Sequence, residues 1–135
     1  MFITCTYFSS RRCFLKIYTL SNKTRDTIIG SKIYRADSFI SKLVGLLGKK
    51  NLDEGEGLLI GGCSSVHMMG MKIPLDLIFL NKENKVLKIV EAAQPNKLSF
   101  SCKGAKKVVE LWVGSSSHVS VGDSLTLSEP NFIEK

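Results

Sequence analysis

A chain of 135 residues that is 44% hydrophobic has the length of one domain and enough apolar material for a real core. With 3 Pro, 11 Gly without period and 23% charged residues it is neither collagenous nor disordered, and no run reaches the roughly 18 apolar residues of a membrane span. The net charge of +7 divides into +8 in residues 1–50, where ten Lys or Arg face only Asp26 and Asp37, and −1 in residues 51–135, but no nucleic-acid motif and no interleaved aromatics accompany it, so nucleic acid is not an expected partner.

Residues 1–13 read as a disordered leader, because Arg11 and Arg12 follow the apolar stretch where a secretory signal would place its charges first. A cytoplasmic location is therefore expected. Phe14 to Leu20 is β-branched and aromatic enough for a strand, Ser21-Asn22-Lys23 is a turn, and Thr27 to Tyr34 reads as a second strand with Gly30 at a bulge. Asp37 or Ser38 can cap a helix over about residues 38–47. There Phe39, Ile40, Leu43, Leu46 and Leu47 form an apolar stripe, Gly48 suits the C-terminal cap, and Lys49-Lys50 suit the negative end of the dipole. Short strands follow at 57–60, 63–71 and 75–80. Asn81 to Asn84 is a hairpin turn into 85–90, and candidate strands at 98–102, 107–113 and 124–127 complete a domain over 14–128, with 129–135 as a tail. Many short strands and one helix predict a mainly β domain, a compact sandwich or a partly open barrel with the helix across an end or edge.

Several segments recur in a familiar order. They are Ala36, Lys42-Leu43-Val44-Gly45-Leu46-Leu47-Gly48, Gly57-Leu58-Leu59-Ile60, Cys63-Ser64-Ser65-Val66-His67, and above all Gly70-Met71-Lys72-Ile73-Pro74-Leu75-Asp76-Leu77-Ile78-Phe79-Leu80. Pro95, Gly104-Ala105, Val109-Glu110-Leu111, Gly114 and Val121-Gly122-Asp123-Ser124-Leu125 continue it. Over about residues 16–127 the chain resembles the domain-of-unknown-function family 192. The resemblance implies a small jelly-roll-like β-sandwich with one helix and implies no established biochemical activity. Some members of that family are exported.

Two sets of side chains could carry chemistry. If 63–71 is one strand, Cys63, Ser65, His67, Met69 and Met71 share a face, and thiolate, imidazole and thioether are the soft donors that copper(I) prefers. Met and Cys are equally common core fillers, so the expectation is no cofactor, with copper as the alternative. Pro74 keeps Ile73 extended, so Asp76 shares a face with Ile78 and Leu80, while Glu110 shares one with Val108 and Trp112. An acid in such an apolar strand either finds a partner or has its pKa raised. Two raised acids across one cleft would suit glycoside hydrolysis. Trp112 either anchors the core or stacks on a ligand, and the core is the favoured reading. Ser64-Ser65 with His67 and Ser115-Ser116-Ser117 with His118 read as loop chemistry, because sequence neighbours do not make a triad. The four cysteines have no Cys-x-x-Cys pair and read as reduced thiols.

These features favour a non-catalytic binding or accessory domain over an enzyme. Its groove would lie near 63–76 and 110–112, with His67, Met71, Asp76, Glu110 and Trp112 as ligand contacts and an unknown ligand or protein as partner. The alternatives are a small hydrolase or carbohydrate-active enzyme using Asp76 and Glu110, assisted by His67, or a soft-metal protein using Cys63, His67, Met69 and Met71.

Overall fold

A computed structural model describes residues 14–36, 54–66, 73–94, 99–128 and 131–134. The strands are β1 (Phe14–Asn22), β2 (Thr27–Ala36), β3 (Glu56–Gly61), β4 (Ser65–Val66), β5 (Leu75–Leu80), β6 (Val86–Ala93), β7 (Phe100–Ser101), β8 (Lys107–Leu111), β9 (Leu125–Leu127) and β10 (Asn131–Glu134). The mainly β expectation is met, although the strands expected at 63–71, 98–102 and 107–113 are described only as Ser65–Val66, Phe100–Ser101 and Lys107–Leu111. β10 lies in the segment read as a tail and pairs antiparallel with β1. No helix occurs among the described residues, so none there is long and apolar enough to cross a membrane. The helix expected at 38–47 lies outside the described residues.

One sheet runs in the order β10-β1-β2-β3-β8-β5-β6, with β9 added to β1, and β4 and β7 form a separate pair. β2 and β3 are parallel, whereas every other pairing is antiparallel. A parallel pair needs a crossover rather than a tight turn, which accounts for the long stretch of chain between Ala36 and Glu56. The sheet is not closed. Its far ends are nevertheless linked, because Val86 donates to the Asp123 carbonyl at 2.9 Å, Gly122 to that of Val86 at 2.9 Å and Leu125 to that of Asn84 at 2.9 Å. The segment 122–127 thus bonds to the β5–β6 hairpin through residues 122–125 and to β1 through β9.

Both faces of the central strands are buried. One face carries Leu58, Ile60, Leu75, Leu77, Phe79 and Val108, joined by Val66 and Ala105 and flanked by Cys63 and Phe100. The other carries Tyr18, Leu20, Ile33, Leu59, Ile78, Leu80, Val109 and Leu111, joined by Val119 and Leu125. Burying each such side chain stabilises the fold by about 1.5–3 kcal/mol, and the two-sided burial explains why β3, β5 and β8 are apolar at most positions on both faces, with Asp76 and Glu110 as the buried exceptions within β5 and β8. Register sets the faces. Tyr34, Leu58, Glu110, Leu77 and Val90 form one row across β2, β3, β8, β5 and β6. The next row, Arg35, Leu59, Val109, Ile78 and Ile89, points to the opposite face.

Candidate functional site

Asp76 is 1% exposed and lies on the face of Ile78 and Leu80, as its strand alternation requires. One carboxylate oxygen accepts from the Ala92 amide at 2.8 Å. The other accepts from the Gly114 amide at 3.0 Å, the Ser116 amide at 3.1 Å and the Ser116 hydroxyl at 2.7 Å. The β5–β6 register shifts opposite this residue, between Leu75↔Ala93 and Leu77↔Val90, and Ala92 there has φ +51°. Asp76 therefore ties a bulge with a left-handed alanine to the turns that follow β8. A carboxylate with four donors is a charge satisfied by its own fold.

Glu110 has the opposite situation. It is 9% exposed and stands in the middle of the five-residue row on the other face, with Leu58 and Leu77 as its register partners on either side. Among the described residues no donor meets its carboxylate. Burial raises its pKa from the ordinary 4.5 to about 7, so the group is mostly an uncharged acid below neutrality and about half protonated at pH 7.

The paired-carboxylate expectation is corrected by this register. Asp76 pairs with Leu111 and Glu110 with Leu77, so the two acids project from opposite faces of the sheet and share no cleft. The two-acid hydrolytic arrangement is not formed. Asp76 also leaves the expected groove, since its carboxylate is consumed on the face away from Glu110.

Of the soft-donor set, His67, Met69 and Met71 lie outside the described residues. Cys63 packs against the Glu110-side cluster and its thiol donates to the Ser65 carbonyl at 2.8 Å, whereas Ser65 is exposed. Cys63 and Ser65 thus do not share a flank. The alternation expected from residue 63 fails in its described part, because the chain bends at Gly62 (φ +64°) and pairs only at Ser65–Val66. Trp112 corrects the core expectation. β8 ends at Leu111, the indole is 38% exposed, and its ring lies beside Gly114. His118 is exposed in the turns, where Ser116 serves Asp76.

A polar cluster that the sequence reading passed over holds these turns to β1. Asn22 is fully buried and donates to Asp123 at 2.8 Å and to the His118 carbonyl at 3.3 Å, while its own oxygen accepts from the Thr24 and Arg25 amides. Asp123 also accepts from the Ser120 amide at 2.9 Å and from Arg25 Nε at 2.9 Å. The Asn22 bond first, then Ser120 and Arg25, hold the Asp123 carboxyl below the usual range against the opposing effect of burial. Its only sequence signal was Gly122-Asp123 after a run of Ser, which reads as an ordinary turn.

No curated protein matches the chain. The crystal structure of a protein of unknown function from Novosphingobium aromaticivorans is similar at TM-score 0.69 and 20% identity, covering 84% of each chain. That of a candidate transcription regulator from Sinorhizobium meliloti is similar at TM-score 0.72 and 20% identity, covering 86% of this chain and 95% of that one. At such identity these likenesses establish the fold alone. The family DUF192, described as "Uncharacterized ACR", matches residues 20–127, and the chain belongs to it.

Proposed function

We propose that this chain is a small non-catalytic binding domain whose ligand site lies on the Glu110 face of the sheet. The observation that carries the reading is Glu110 itself, a buried acid in the centre of an apolar row with no donor among the described residues. Such a group is costly to ionise, and acids shifted by burial concentrate at functional sites. An uncharged carboxyl both donates and accepts one hydrogen bond, so it matches the edge of a neutral amide. Cys63 packs against the same cluster and belongs to the same candidate surface. Of the two expected architectures the partly open barrel is the better description, supported by the bonds that link residues 122–125 to the β5–β6 hairpin.

The test is an amide-shift titration of the labelled protein with a library of small neutral amides and alcohols, run on the wild type, Glu110→Gln and Glu110→Leu. The reading expects binders whose shifts gather on Leu58, Leu77, Val90 and Glu110, weakened in Glu110→Gln and lost in Glu110→Leu. Binding that Glu110→Leu leaves intact, or no binder on that face, contradicts it.

A further inference from the structure

The other face of the sheet carries a separate opening. A cavity of about 130 Å³ is lined by Leu20, Leu59, Leu80, Leu125 and Leu127 and rimmed by Arg35, Asn84 and Lys107. Its five leucines all belong to the cluster opposite Glu110, with Leu127 at its edge. Lys107 and Leu80 are register partners at the end of β8 and β5, and the Lys107 ammonium donates to the Asn84 side-chain carbonyl. Asn84 has φ +65° and accepts the Leu125 amide through its backbone carbonyl, so the segment across the sheet and the rim of the cavity are fixed to each other.

We infer that this cavity binds a short aliphatic carboxylate, its tail among the leucines and its head on Lys107 beside Asn84. Three features select that class. Five of the eight lining residues are leucine, which favours a hydrocarbon tail, and Arg35, Asn84 and Lys107 supply the polar remainder. Among the described residues Lys107 and Arg35 but no acid line the rim, so a head group of negative charge on Lys107 is favoured and a positive one repelled. The volume is slightly below that of cavities that take a benzene ring, which suits a tail of about four or five carbons. Arg35 has an interaction of its own, so the site turns on Lys107, which keeps two further N–H donors after serving Asn84. An ammonium facing a carboxylate at the edge of an apolar cavity forms a charge-assisted bond stronger than a neutral one.

The probe is sodium pentanoate added to labelled wild-type protein at neutral pH, with pentanol and acetate as controls for head and tail. The expected result is saturable shifts at Leu59, Leu80, Lys107 and Leu125, with pentanol and acetate each about tenfold weaker or more. Lys107→Met, which keeps the apolar stem, should weaken pentanoate by about tenfold, and Leu127→Trp, which fills the cavity from its half-exposed side, should abolish it. Absence of a saturable shift up to about 20 mM, equal binding of pentanol or acetate, or an unchanged affinity in Lys107→Met overturns the inference. The wild-type comparison of pentanoate with pentanol decides the matter even if a variant misfolds. Shifts confined to Leu58, Leu77 and Val90 would place the ligand on the Glu110 face and also overturn it.

Discussion

Leu77 and Glu110 are direct register partners across β5 and β8, and that pairing turns Asp76 and Glu110 to opposite sides of one sheet. Each acid meets one of the two fates open to a buried carboxyl. Asp76 collects donors from the bulge of β6 and the turns after β8, and Glu110 is stripped of water and becomes hard to ionise.

Removing Asp76 should damage the fold rather than any chemistry. Asp76→Ala leaves the amides of Ala92, Gly114 and Ser116 without their acceptor, a loss of about 3 kcal/mol or more. Urea unfolding measures it, and a loss under about 1 kcal/mol would contradict the tie described here. Ala92→Gly should act in the other direction, by about 1 kcal/mol, because glycine adopts φ +51° without the alanine penalty.

Glu110 gives stability an unusual pH dependence. Its folded pKa lies above its unfolded one, so between about 4.5 and 7 the folded state binds more protons than the unfolded state. The contribution of this residue is most favourable below pH 4.5 and is lost as pH rises to about 7, by about 3 kcal/mol in all. Glu110→Gln, which cannot ionise, should remove that slope. Unfolding free energies of both proteins at pH 5 and 8 check this: the variant should gain relative to the wild type at pH 8, and an unchanged difference would contradict it.

Asp123 should behave with the opposite sign. Its folded pKa lies below the ordinary carboxylate value, so its contribution is present above that value and disappears as pH falls through the depressed one. Asp123→Asn should therefore lower the thermal midpoint at pH 7 and lose most of its effect in strong acid. Arg25→Gln should cost less than Asp123→Asn, because Arg25 is 48% exposed and its attraction is screened by water. Equal costs would contradict the ranking of Asn22 and Ser120 above Arg25.

Gly57 faces a tighter constraint than any turn. A Cβ there would lie 2.6 Å from the Glu110 carbonyl oxygen and 2.7 Å from Leu111 Cδ2, and both neighbours belong to the central strand β8. Gly57→Ala should cost about 2 kcal/mol or more in urea unfolding, since the backbone atom cannot step aside. A neutral substitution would show that β3 and β8 are less closely set.

Much of this fold was legible in the chain. Alternation placed Asp76 with Ile78 and Leu80, and Asn81 to Asn84 announced the hairpin that Asn81 closes through bonds to Glu83 and Lys85. Alternation within one strand is local, and the phase between two strands is not. A shift of one residue between β5 and β8 would have put Asp76 and Glu110 side by side, and only long-range pairing excludes it. Trp112 was misplaced for a related reason, because alternation no longer governs a side chain once its strand ends at Leu111. The cavity of Lys107 and Asn84 joins residues from β1, β2, β3, β5, β8, β9 and a hairpin turn, and no spacing along the chain marks it.

The most direct measurement is a carbon-13 titration of the Glu110 side-chain carboxyl. A midpoint near 7 would establish a buried, readily protonated acid at the centre of the sheet, the feature on which the binding reading depends. A midpoint near 4.5 would mean that water or a charged partner reaches the carboxylate, and the account of that face would fail.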